Sequence, residues 1–170
     1  MAARRACRQA GRHRLKVLVQ SHKSGAQGAD EGSIDHACFQ PAQGAEFDPH
    51  KHVEKILGRI EGGDVTVACW EPNQISPYHC HPHATEIYFC FEGGGVMRTP
   101  EESVAIAPGG FVVHPPGEVH EYANGPARTL LFRIRYGADM AARYAGWRGR
   151  QGWTQSAADA EYFGRHPVSA

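Results

Sequence analysis

Between Val53 and Tyr136 the chain falls into short apolar-rich runs, each closed by Gly, Pro or Asn. The runs are VEKILGRI, DVTVACW, TEIYFCF, GVMRT, SVAIA, FVVHP, VHEYA and RTLLFRIRY. Their β-branched and aromatic content, and their regular spacing, predict strands of an antiparallel sandwich or barrel. Residues 21–50 are rich in Gly, Ala, Gln, Ser and Asp with little periodicity, and read as a loop leading into the domain. After residue 137 the pattern changes: ADMAARYAGWRG predicts a short helix and WTQSAADAEYF a further turn or two. The chain thus divides into a basic extension (1–32), a lead-in segment (33–52), an all-β domain (53–137) and a C-terminal tail of short helix and turns (138–170).

One run is informative by itself. In EIYFCF side chains alternate between faces, so Glu86, Tyr88 and Cys90 share one and Ile87, Phe89 and Phe91 the other. Both faces are mainly apolar, which predicts a strand covered twice. The second cover is a terminal segment of the same chain or another subunit, and a homodimer is expected.

At 170 residues the chain suits one domain with a sizeable core. Its zero formal charge hides an asymmetry. Arg4, Arg5, Arg8, Arg12, Arg14, Lys16 and Lys23 stand in residues 1–29 without a single acid, leaving eleven basic against eighteen acidic residues elsewhere. The acidic body argues against nucleic acid as a partner. The one apolar run of the extension, LKVLVQ, is too short for a secretory core, and no run reaches the length of a membrane span. Five cysteines, an odd number without a C-x-x-C, fit reduced thiols in a cytoplasmic protein.

The candidate chemistry lies in HCHPHATEIYFCFEG. Imidazoles at i and i+2 of a strand point the same way, so His79 and His81 can converge on one ion. Glu86 is placed to close on the same point after a turn. Another ligand must come from elsewhere in the sheet, and His120 follows the Pro116–Gly117 turn signal in GGFVVHPPGEVHEYAN. Cys80, between two candidate ligands, points away from them. His83 reads as a rim or solvent residue, His50 and His52 as surface, and His114 as a loop residue. Tyr88 and Tyr122 share parity with Glu86 and His120 respectively, and each is either cavity-lining or core. RTLLFRIRY places Arg133 and Arg135 together on a solvent-facing or interfacial side, while Arg98 is open.

With these residues in place the chain resembles a cupin. The first cupin motif, G-x5-H-x-H-x3/4-E-x6-G, is matched by His79, His81, Glu86 and Gly93, with Asn73 in place of the leading glycine. The second, G-x5-P-x-G-x2-H-x3-N, is matched by Gly109, Pro115, Gly117, His120 and Asn124. The resemblance covers roughly residues 53–136. It implies a small antiparallel β-barrel or jelly roll, with His79, His81, Glu86 and His120 as ligands of one divalent transition metal: Fe, Mn, Ni, Co, Cu or Zn. It further implies a metal-dependent enzyme acting on a small organic substrate. Both dioxygenase chemistry and Lewis-acid isomerase, lyase or decarboxylase chemistry fit, with Tyr88 or Tyr122 as acid or base. Retention of Glu86 weighs against the three-histidine thiol dioxygenases. The alternative is a non-catalytic ligand-binding or sensing module, although no helix-turn-helix pattern precedes the domain.

Overall fold

The structure, a computed structural model, describes residues 41–168. The basic extension, the first part of the lead-in, Cys7 and Cys38 lie outside the described residues. A short 3-10 turn, Pro41–Gly44, precedes ten strands: β1 (Val53–Ile60), β2 (Gly63–Trp70), β3 (Tyr78–Cys80), β4 (His83–Glu92), β5 (Gly95–Arg98), β6 (Ser103–Ile106), β7 (Phe111–His114), β8 (Glu121–Asn124), β9 (Thr129–Asp139) and β10 (Arg143–Gly146). One helix, α1 (Ala157–Arg165), follows.

Every strand pairing is antiparallel. One layer has the order β1-β2-β9-β4-β7. The other is built from β10-β3 and β6-β5-β8, joined by single bridges His79↔His120 and Ile75↔Ala123. The fold is an all-β jelly roll with one short C-terminal helix.

Alternation along β4 and β9 sorts the interior. Glu86 pairs with Arg135, Tyr88 with Arg133 and Cys90 with Leu131, and all six face inward. The inner face therefore runs from charged at one end to apolar at the other. The apolar end is a cluster of Ala68, Trp70, Tyr88, Cys90, Met97, Ile106, Tyr122 and Leu131. A side chain buried as fully as Leu131 contributes about 1.5–3 kcal/mol. The charged end holds the candidate site.

The outer face is covered unevenly. Ala45, Phe47, Val53 and Leu57 pack over Val67, Cys69 and Leu130, so the lead-in and β1 cover β2 and part of β9. Beyond that cover, Phe89, Phe91, Phe111 and Val113 on β4 and β7 are exposed. Cys69, Cys80 and Cys90 are buried free thiols. Among the described residues no helix is long and apolar enough to cross a membrane.

The tail departs from its sequence reading. ADMAARYAGWRG does not form a helix: Arg143–Gly146 is strand β10, paired with β3. β3 is only three residues long and offers an edge of unpaired backbone groups, which a strand satisfies and a helix does not. Helix formation is confined to α1, where Ser156 caps the N-terminus by accepting from the Asp159 N–H at 3.1 Å. The Asp159 carboxylate accepts from the Ser156 hydroxyl at 2.6 Å and from the Tyr144 N–H at 3.2 Å. One buried carboxylate thus ties α1 to β10.

Candidate metal centre

Each candidate ligand is delivered by its own piece of backbone. His79 lies in β3 and His81 directly follows it, Glu86 comes from β4 in the facing layer, and His120 precedes β8. The His79 and His120 backbones exchange hydrogen bonds, N–H to O=C, at 2.9 and 2.8 Å, so the two motifs meet at one bridge. Gly117 strengthens the link: its N–H donates to the His81 carbonyl at 2.9 Å, and its φ of 82° is a conformation that glycine adopts without steric cost. Asn73, where the motif has glycine, has φ of 63° and is the only non-glycine residue with positive φ among the described residues. Asn tolerates this region better than most side chains.

The three rings are oriented from behind. His79 Nδ1 lies 3.0 Å from the Pro77 carbonyl, His81 Nδ1 3.1 Å from Met140 O, and His120 Nδ1 3.1 Å from Glu118 O. A carbonyl only accepts, so each Nδ1 carries the proton and, in a neutral ring, each Nε2 is a bare lone pair. All three Nε2 atoms face the Glu86 carboxylate, at 2.9 Å for His120, 3.5 Å for His81 and 3.9 Å for His79. A lone pair 2.9 Å from a carboxylate oxygen requires a positive centre, either a proton on Nε2 or a cation bound by both groups. Donors that share a transition-metal ion lie about 3–3.5 Å apart; His120 and His81 stand at that range from Glu86 and His79 at 3.9 Å somewhat beyond it. Glu86 Oε1 is buried and without a hydrogen-bond partner. The donor set of three imidazoles and one carboxylate therefore fits a divalent transition metal.

Charge around the site is arranged in depth. Burial disfavours the Glu86 anion, but contacts from His120 and His81 and the charge of Arg133 hold its carboxyl well below the usual range. Burial, assisted by His120, lowers His79 to about 3 and keeps its ring neutral. Arg133 corrects the sequence reading: it is buried, not solvent-facing. Its guanidinium donates to Glu54 at 2.7 Å, contacts Thr66 Oγ1 at 3.3 Å, and lies 3.4 Å from Glu86 and 3.7 Å from Asp64. Arg135, which shares its face, pairs with Asp64 at 2.6 Å. In a jelly roll the second layer covers this face, and the strand's alternation alone did not reveal which face that would be.

A cavity of about 320 Å3 opens beside His79 and His81. Tyr88 lines it; Tyr122 does not. Tyr122 lies in the apolar cluster, its hydroxyl donating to Asn124 Oδ1 at 2.9 Å and its ring edge-on to Trp70. His52 also belongs to the lining, stacked on Trp70 at 4.1 Å, instead of standing on the surface. His83 and His50 are exposed. His114 is no loop residue: it ends β7, is buried, pairs through Nδ1 with Glu118 at 2.6 Å, and stacks on His120 at 3.8 Å. His114, Glu118 and His120 form a second group of closely spaced donor atoms.

Sequence reasoning missed the contribution of the tail. Ala142, Tyr144, Trp147 and Trp153 line the cavity, and the Tyr144 ring stands 5.9 Å from that of His79. Trp147 is fixed by donating from Nε1 to the Ile75 carbonyl at 2.8 Å. The available signal was the aromatic content of RYAGWRGRQGW, in a segment that carries no motif.

Comparison with known proteins follows the same outline. The family model described as "Cupin domain" matches residues 66–132. No curated protein matches the chain in sequence. Among solved structures, TT1209 from Thermus thermophilus is similar with a TM-score of 0.56 and 24% identity, over 59% of this chain and 96% of that one. A conserved protein with a double-stranded beta-helix domain from Klebsiella pneumoniae gives 0.60 and 17%, over 65% and 98%. The DMSP lyase DddQ from Ruegeria pomeroyi gives 0.53 and 21%, over 64% and 60%. At these identities the likeness is one of fold.

Proposed function

We propose, from the premise that residues 66–132 are a cupin domain, that His79, His81, Glu86 and His120 hold one divalent transition metal. The protein then acts as a metal-dependent enzyme on a small organic molecule. One observation carries the reading: three imidazoles, each fixed through Nδ1 by a backbone carbonyl, turn Nε2 toward one buried carboxylate. Such backing of the ligand rings is the outer shell that metal sites use to set tautomer and aim.

Bound there, the ion supplies Lewis acidity toward a carbonyl or carboxylate. The chain's own residues do the rest. Arg133 holds Glu86 anionic and in place. Burial, reinforced by the Glu86 charge, raises Tyr88 well above its ordinary value, so its hydroxyl stays protonated and donates a hydrogen bond to a substrate oxygen. Tyr144 is raised in the same direction, by burial and then Glu54. Two phenols that can donate hydrogen bonds to a substrate oxygen, both in the cavity lining with His79 and His81, suit isomerase, lyase or decarboxylase chemistry. Dioxygenase chemistry is the second reading, supported by the same ligand set. A lyase, DddQ, is among the proteins that share the fold.

Metal analysis tests the assignment. Wild-type protein is expected to carry close to one transition metal per chain, and His81→Ala or His120→Ala to lose it. Full occupancy in both variants rejects these ligands. Oxygen uptake by iron-loaded protein with aromatic or diketone substrates separates the two chemistries.

The uncovered outer face supports the homodimer. Ile87, Phe89, Phe111, Val113, Phe132 and Ile134 lie opposite one another across β4, β7 and β9, with no charged side chain among them. An uncharged aromatic patch suits a second copy of the same face. Light scattering is expected to give a dimer in the wild type and a monomer in Phe89→Asp; a wild-type monomer at micromolar concentration removes the proposal.

A further inference from the structure

All three tryptophans of the chain, Trp70, Trp147 and Trp153, line the cavity beside His79 and His81. Tyr88 and Tyr144 add two more aromatic rings to the lining. Such surfaces suit a flat or apolar body, and the volume of about 320 Å3 sits at the small end of ligand cavities.

The charges define what that body carries. Glu54, Arg133 and Arg135 line the cavity; Asp64 and Glu86 stand behind them, ion-paired with Arg133. Glu54 opens to solvent and its charge is screened, so within the site Asp64 and Glu86 balance Arg135 and Arg133. A divalent ion held by Glu86 would leave an excess of positive charge there. Uncompensated charge in a buried site is costly, so the loaded cavity favours an anion.

Hydrogen bonding points the same way. Arg133 and Arg135 bring guanidiniums into the lining, and a guanidinium only donates, so each suits an acceptor. A carboxylate offers two acceptor oxygens and one negative charge. A zwitterion offers the same oxygens but leaves the charge excess in place.

We propose that the ligand of this cavity is a small monocarboxylate with a flat, unsaturated or aromatic body, taken up beside the metal by Arg133, Arg135 and the tryptophans. The proposal rests on the metal reading above. The test uses Zn(II)-loaded protein of measured metal content, with four probes: benzoate, acetate, benzyl alcohol and glycine betaine. Because every tryptophan lines the cavity, indole emission excited beyond the benzoate absorption reports occupancy directly.

Benzoate is expected to bind at least about tenfold more tightly than the other three, and about tenfold more tightly to the zinc form than to the metal-free form. Two charge variants bracket the effect: Glu54→Gln tightens benzoate binding and Arg135→Gln weakens it, each by about fivefold. Glu54 is exposed and glutamine keeps an acceptor for Arg133, so this variant removes the charge at little expense to the fold. Benzyl alcohol or betaine binding as tightly as benzoate overturns the proposal, as do charge variants that shift binding in the same direction. Failure to bind zinc removes the metal reading and this proposal together; zinc binding with indifference to benzoate removes this proposal alone.

Discussion

Replacing Arg133 by Met retains the apolar stem and removes the guanidinium. The three acids around it are affected unequally. Glu54 is half exposed and loses little when its partner goes. Asp64 keeps Arg135 at 2.6 Å. Glu86 is buried, and Arg133 is its only guanidinium contact among the described residues. The cost is therefore that of one buried carboxylate without its counter-charge, about 3 kcal/mol at pH 7 in the metal-free protein. In urea, with a slope near 2 kcal/mol per M, the midpoint falls by about 1.5 M. The pH dependence carries the sharper test. Without Arg133 the Glu86 carboxyl is lowered less, because the contacts from His120 and His81 remain while one counter-charge is gone. The folded-state pKa of Glu86 is thus higher in the variant than in wild type, and the penalty shrinks as pH falls through the variant's value and Glu86 takes up its proton. A midpoint shift below about 0.5 M at pH 7, or a penalty that grows on acidification, refutes the account of Arg133 as the counter-ion of Glu86.

Two further outcomes follow from the buried groups. Burial lowers His79 and His114 to about 3, below their unfolded value of 6.5, so between those limits the unfolded chain binds protons that the folded one does not. Stability of the metal-free protein is fully present above pH 6.5 and falls on acidification, by up to about 1.4 kcal/mol per pH unit for each ring; equal urea midpoints at pH 7 and pH 5 contradict this. Asp159→Ala removes the acceptor of the Tyr144 N–H and the Ser156 hydroxyl, and costs about 1–2 kcal/mol. Because Trp147 and Trp153 follow β10 in the same tail segment, indole emission is expected to shift to the red before global unfolding, and an unchanged spectrum counts against the carboxylate as the anchor of the tail.

Sequence alone determined what local rules can encode. Alternation placed strands over most of residues 53–136 and put Glu86, Tyr88 and Cys90 on one face of β4. Motif spacing named His79, His81, Glu86 and His120, and the structure brings these four side chains together. The tolerance of Asn73 for a left-handed turn was readable from residue type, because such a φ is a property of one residue and its neighbours.

Tertiary structure decided whatever depended on which surface covers which. Arg133 and Arg135 alternate correctly with Phe132 and Ile134, yet only the facing layer makes their side the interior. Tyr88 and Tyr122 looked equivalent by parity, but the inner face grades from charged to apolar, and Tyr122 falls at the apolar end with its hydroxyl on Asn124. His114 became a neighbour of His120 only when β7 and the turn before β8 closed on Glu118. The tail became strand and cavity wall because β3 left an edge to pair, a requirement that arises from the assembled sheet and from no residue within the tail itself.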